Sequence, residues 1–181
     1  EALFVLSEIA NHYAVKTLFS HQEIGNKLTY DRDIIIYDFC KINQIEWKEY
    51  QHNGIVRKLK SRKIWDSLWK EKMEAKPALI DDVNCNFLKL DEELYNRLKG
   101  EPLAKEIRTN NPSFQPGGET NAWKYLDGFL KIRHVNYSKH ISKPALSRKS
   151  CSRISPYLSY GNISMRMVYQ YTKQHYESSS N

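Results

Sequence analysis

The residues of this chain best suited to chemistry lie in Ser150-Cys151-Ser152-Arg153-Ile154-Ser155-Pro156-Tyr157-Leu158-Ser159-Tyr160-Gly161. One cation, Arg153, stands between the hydroxyls of Ser152 and Ser155, directly ahead of a proline. Ser155 is expected to cap a short helix, its hydroxyl accepting from a first-turn amide. Pro156 suits the first helical position, where a missing N–H costs nothing, and Gly161 suits the left-handed residue that ends a helix. A helix start offers unpaired amides and a positive dipole end, so the segment can hold an anion, a phosphate above all. The plainer alternative is a capped surface turn with an exposed arginine, and spacing alone does not separate the two.

The neighbourhood is basic. Residues 131–181 hold nine Lys/Arg and one acid, Glu177, a balance of +8 where the 181-residue chain has +7, so residues 1–130 stand at −1. A basic stretch rich in tyrosine and serine points to phosphate partners, without distinguishing a nucleotide cofactor from DNA, or either from a solvated basic face. Other chemistries lack their signatures. Gly117-Gly118 follows a proline rather than a strand, and no Walker sequence, nucleophile elbow or zinc-ligand spacing occurs. Cys40, Cys85 and Cys151 lie too far apart for a disulfide framework, which fits a reducing, cytoplasmic setting. No run reaches the ~18–20 apolar residues of a membrane span, so no membrane partner is expected. Glu1-Ala2-Leu3 has no basic lead and begins inside an amphipathic pattern, so a signal peptide is not expected and the chain reads as a fragment.

These residues need a scaffold. Leu3, Leu6, Ile9, Ala10 and Tyr13 recur at helical spacing over residues 2–14, and 15–21 reads as a strand. Residues 33–42 are ambiguous: Ile34-Ile35-Ile36 favours a strand, while Asp31 or Asp33 could cap a helix with Ile35, Phe39 and Ile42 on one face. Residues 45–50 alternate as a strand does. Helix, strand, helix, strand is the order of an α/β domain with a parallel sheet. A helix starts near Lys63, with Trp65 and Trp69 spaced for packing. Residues 76–116, with four prolines and the acidic groups Asp81-Asp82 and Asp91-Glu92-Glu93, read as a linker holding a short helix near Glu92–Leu98. Beyond it the chain looks all helical: Trp123, Leu126, Phe129 and Leu130 mark one helix, and Ser164 caps another.

Ser152-Arg153-Ile154-Ser155-Pro156-Tyr157-Leu158 with Gly161-Asn162-Ile163-Ser164 resembles the flavin-binding segment of the cryptochrome/DNA photolyase family, where a Thr-Ser-Arg-Leu-Ser-Pro-Tyr-Leu run wraps the FAD diphosphate. Phe114-Gln115-Pro116-Gly117-Gly118-Glu119-Thr120, with Ala122, Leu126 and Phe129-Leu130, is similar to that family's Gly-Gly-Glu helix. Glu23-Ile24-Gly25 and Tyr30-Asp31-Arg32-Asp33 are similar to its antenna-domain stretch, in which an Arg-Asp pair opens a helix. Cys151 stands where threonine is usual.

The resemblance implies that 33–42 is helical. It also implies three parts: residues 1–75 as the end of an α/β antenna domain, 76–116 as the interdomain linker, and 117–181 as the start of a helical FAD-binding domain. FAD is the implied cofactor, with Tyr137, Cys151, Ser152, Arg153, Ile154 and Ser155 lining its diphosphate, and a second antenna chromophore of unspecified type is compatible. Lys139 and Lys143, beside His140, would face a DNA backbone. The implied activity is that of a blue-light-driven photolyase, a carbon-carbon lyase that splits pyrimidine dimers in damaged DNA. The alternative within the family is a cryptochrome photoreceptor without repair. The alternative outside it is a basic nucleic-acid-binding module. The helices that complete the family's flavin pocket, the missing part of the same domain, would be this fragment's partners, and no catalytic residue is expected within it.

Overall fold

The computed structural model describes residues 1–78, 86–109 and 111–179. It is mixed α/β with a two-stranded parallel sheet, and it divides into two compact units, residues 1–66 with 79–109 and residues 67–78 with 110–181. Cys85 and Asp81-Asp82 lie outside the described residues. No helix among the described residues is long and apolar enough to cross a membrane.

The first unit follows the expected order. Helix α1 (Ala2–His12) leads to β1 (Thr17–His21), α2 (Lys27–Ile42) and β2 (Glu46–Tyr50). The strands pair in parallel, Leu18 opposite Trp47 and His21 opposite Tyr50, so α2 is the crossover that parallel neighbours require. The helix begins earlier than either aspartate: Asn26 caps it, its side chain accepting from the Thr29 amide at 3.3 Å. The isoleucine run therefore winds rather than extends. Ile36 and Cys40, one turn apart, are buried, while Ile34 and Ile35 are at least half exposed. The inward stripe is thus Ile36, Phe39 and Cys40, not the expected Ile35, Phe39 and Ile42. Leu6, Ala10, Val15, Leu18 and Trp47 pack on it, and burial pushes the Cys40 thiol up. Asn26→Ala is expected to lower this unit's stability by about 1 kcal/mol, checked by urea unfolding.

The Arg-Asp pair lies in the second turn of α2 rather than opening it. Arg32 donates to Asp33 at 2.7 Å and to Glu23 at 2.9 Å, and Glu23 accepts from the amides of Ile24 and Gly25. The Gly25 amide is the main cause holding the Glu23 carboxyl below its ordinary range. A Cβ on Gly25 would come within 2.8 Å of the Glu23 carboxylate and 2.9 Å of the Thr29 hydroxyl, so a side chain there would push the Glu23 carboxylate off the amides it caps. Within the stretch expected as a linker, α4 (Glu92–Leu98) forms where anticipated. Asp91 caps it, Leu94 is buried, Tyr13 accepts from the Asp91 amide at 2.9 Å, and Arg97 pairs with Glu8, so this segment packs into the α/β unit. A short helix α5 (Lys105–Arg108) follows.

A 3-10 turn (Arg62–Ile64) precedes α3 (Trp65–Glu74), so the helix expected at Lys63 starts two residues later. Trp65 is 41% exposed, its indole N–H donating to the Gly54 carbonyl, and is no core residue. The second unit, from residue 67, shows no strand among its described residues: α3 continues, then come α6 (Glu119–Lys131), a 3-10 turn (Arg133–Asn136), α7 (Tyr137–His140), α8 (Pro144–Ser150), α9 (Ser155–Ser159) and α10 (Met165–Ser179). Ala122, Leu126 and Leu130 form the buried stripe of α6. Ala122, Tyr157 and Ile163 are the centre of the core, with Trp123, Tyr125, Ile154, Leu158, Met167 and Val168 around them. Ser164 caps α10 as expected, accepting from the Met167 amide at 3.1 Å. Trp69 meets Tyr169 edge-on, and Gln170 donates to the carbonyls of Met73 and Ala75, which fixes α10 against α3 within this unit.

Candidate functional site

Residues 151–154 form the loop between α8 and α9, and three neighbours shape it. Arg133, on the turn after α6, donates to the Cys151 carbonyl at 2.9 Å, to the Ser152 carbonyl at 3.4 Å and to the Tyr125 carbonyl. Gln115 donates to the Arg153 carbonyl at 2.9 Å. Tyr157 donates from its hydroxyl to the Pro116 carbonyl at 2.8 Å, joining α9 to the Phe114–Gly118 segment. The guanidinium groups of Arg133 and Arg153 each lie 5.6 Å from the centre of the Tyr125 ring. Burial is the main cause lowering the Arg133 pKa, and the charge of Arg153 acts the same way. Among the described residues Arg133 has no carboxylate partner: its hydrogen bonds all go to backbone carbonyls.

The loop backbone is unusual. Arg153 has φ +57°, the left-handed region that glycine favours, and Ile154 follows in the right-handed helical region at φ −84°, ψ −16°. Alternating hands of this kind curl successive amides into a concave nest that suits an anion. The amides of Ser152, Arg153, Ile154 and Ser155 meet no acceptor among the described residues. Ser155 is not the N-cap: Ile154 occupies that position, and Ser155 is the first helical residue because Ile154 already has helical angles. The Ser155 hydroxyl makes no capping bond and is exposed to solvent. Gly161, at φ +67°, closes the helix as expected: its amide donates to Leu158 and that of Asn162 to Tyr157, the paired bonds of a Schellman end.

Two open cavities meet at Arg153. One, of about 480 Å³, is lined by residues 151–156 with Tyr137, Ser147 and Arg148. The other, of about 740 Å³, adds Phe114, Tyr157 and Tyr160. Neither has a carboxylate among the described residues of its wall. Tyr137, Cys151, Ser152, Arg153, Ile154 and Ser155 therefore share one cavity, with the Tyr137 ring held edge-on by Phe129 at 5.7 Å. The Ile154 side chain packs on the core, which anchors the loop. Lys139, within α7, and Lys143, directly ahead of α8, are exposed and line neither cavity. His140 accepts no such role either: its Nδ1 is 2.6 Å from the buried Ser150 hydroxyl, a contact joining α7 to α8.

Sequence reasoning missed Arg133, Tyr125 and Arg148 as parts of this site. Arg148 was legible only as charge, and it enters because α8 places it one turn before the loop. Arg133 had no local signal at all. The fold and site together define a mixed α/β chain whose helical unit carries an arginine-bearing loop beside two cavities with no carboxylate among the described residues that line them. Compared with known proteins, the chain matches no family model, no curated protein and no solved structure.

Proposed function

We propose that the chain is part of a flavin-dependent protein of the DNA photolyase/cryptochrome type, and that its α8–α9 loop holds the diphosphate of FAD. The observation that carries this reading is the nest at residues 152–155: among the described residues its consecutive amides meet no acceptor and its cavity wall holds no acid, while two hydroxyls and Arg153 stand beside them. The donor set fits a diphosphate. Backbone amides and hydroxyls take the oxygens, and Arg153 and Arg148 offset the charge. When bound and reduced, the flavin supplies the light-driven one-electron chemistry that splits pyrimidine dimers. The chain's own part is to bind and orient that cofactor through Tyr137, Cys151, Ser152, Arg153, Ile154 and Ser155. Lys139 and Lys143 would add sequence-independent contacts to a DNA backbone, weakened by salt. A light-sensing cryptochrome uses the same cradle, so that alternative rests on the same observation.

Titration of the 181-residue chain with FAD and with riboflavin, followed by flavin fluorescence, tests the reading. Riboflavin has the same ring without the diphosphate. FAD is expected to bind roughly tenfold or more tightly, the worth of one or two charge-assisted hydrogen bonds. Equal affinities would overturn the assignment of the loop to a diphosphate.

A further inference from the structure

We infer that Arg133 is the positioning residue of the anion loop, and that it acts through carbonyl oxygens rather than on the ligand. This rests on the reading of the loop as a diphosphate site. A trans peptide is planar, so the carbonyl of one residue and the amide of the next point in opposite directions. Arg133 holds the carbonyls of Cys151 and Ser152, which turns the amides of Ser152 and Arg153 the other way. Gln115 does the same for the Arg153 carbonyl and hence for the Ile154 amide. These three amides are among those that meet no acceptor. One guanidinium and one amide side chain thus set the direction of three successive donors before any ligand arrives.

The geometry requires arginine. Its planar fork reaches carbonyls on α6 and on the loop at once, Tyr125 on one side and residues 151–152 on the other, and a lysine ammonium cannot span that pattern. The absence of a carboxylate partner is part of the device. A carboxylate beside Arg133 would place negative charge behind the loop and oppose an anion in front of it. Among the described residues backbone carbonyls are the only hydrogen-bond partners of Arg133, so its role is to hold the loop, and Arg153, which lines both cavities, is the cation placed to meet the anion.

The probe is inorganic pyrophosphate, added to the 181-residue chain and to its Arg133→Lys variant, with orthophosphate as the singly linked comparison. For the parent chain, pyrophosphate is expected to shift the amide NMR signals of Ser152, Arg153 and Ile154 and to bind more tightly than orthophosphate. Arg133→Lys keeps the charge and loses the fork. It is expected to bind pyrophosphate roughly tenfold or more weakly and to lose the shifts at these three amides. Millimolar guanidinium, far below denaturing levels, is expected to restore binding to Arg133→Ala but not to Arg153→Ala. A parent chain that binds no pyrophosphate would overturn the diphosphate reading and this inference with it. A parent chain that binds, with Arg133→Lys equal to it, would overturn the inference alone. Should Arg133→Lys fail to fold, the parent spectrum still decides: pyrophosphate shifts confined to amides other than 152–154 would show that the pinned carbonyls do not aim the donors.

Discussion

Replacing Tyr157 by alanine is expected to destabilise the helical unit by about 3–5 kcal/mol. The side chain is 2% exposed and lies at the centre of the core with Ala122 and Ile163, so its removal leaves a large cavity among residues that cannot all collapse into it. Its ring also tilts against Tyr125 at 5.6 Å, and Tyr125 carries the guanidinium groups of Arg133 and Arg153. Packing and site are therefore coupled through one tyrosine. Tyr157→Phe separates the two contributions. It keeps the ring and removes only the hydroxyl that donates to Pro116, at an expected loss of about 1–2 kcal/mol, chiefly from leaving that carbonyl unpaired. Urea unfolding followed by the fluorescence of Trp123, which packs on this core, measures both. The α/β unit, whose core shares none of these residues, should keep its own midpoint. A cost below about 1 kcal/mol for Tyr157→Ala would show that the cluster around Ala122 does not hold the unit together.

Much of the fold was legible because its signals are local. The order of α1, β1, α2 and β2 follows from periodicity, and their parallel pairing follows from a helix standing between the strands. Glu92–Leu98 and the helix after Ser164 announce themselves through caps. Errors arose where one local signal had several hosts. Asp31, Asp33 and Asn26 can all cap a helix, and the choice of Asn26 adds a turn and a half ahead of the isoleucines. Ser155 and Ile154 differ by one residue, and the backbone angles of Ile154, not the side chain of Ser155, decide which is the cap. For the candidate site, the sequence held the loop and lacked what shapes it. Arg133 contacts main-chain oxygens 18 and 19 residues away, and every residue has such an oxygen, so no side-chain pattern could mark the partnership. The left-handed angle of Arg153 was hidden for a related reason: it runs against the preference of arginine itself, and the tertiary hydrogen bonds to the carbonyls on either side of it come from residues distant in sequence.

That angle makes Arg153 the residue with the largest expected effect on binding, and glycine the informative replacement. A side chain at φ +57° costs about 1–2 kcal/mol against the right-handed region, and Arg153→Ala keeps that cost while losing the guanidinium and its contact with Tyr125. Arg153→Gly relieves the strain, gives back about 0.5–1 kcal/mol in chain entropy, and loses about as much again with the cation–π contact. The glycine variant should therefore be within about 1 kcal/mol of the parent in stability, and the alanine variant measurably below it. In affinity for FAD the two should agree. Both lack the guanidinium beside the nest, and a charge-assisted contact of about 1.5–3 kcal/mol corresponds to a loss of roughly ten- to a hundredfold. Lys149→Ala makes the same change in charge on α8, outside both cavities, and should leave binding within about twofold, as a screened surface charge does. Each outcome isolates one cause. Full affinity in Arg153→Gly would assign the anion to the backbone nest alone. An equal loss in Lys149→Ala would reduce the effect of Arg153 to the general basicity of residues 131–181. Loss in both Arg153 variants, with Lys149→Ala unaffected and the glycine form the more stable, is the result that a strained, preset phosphate loop requires.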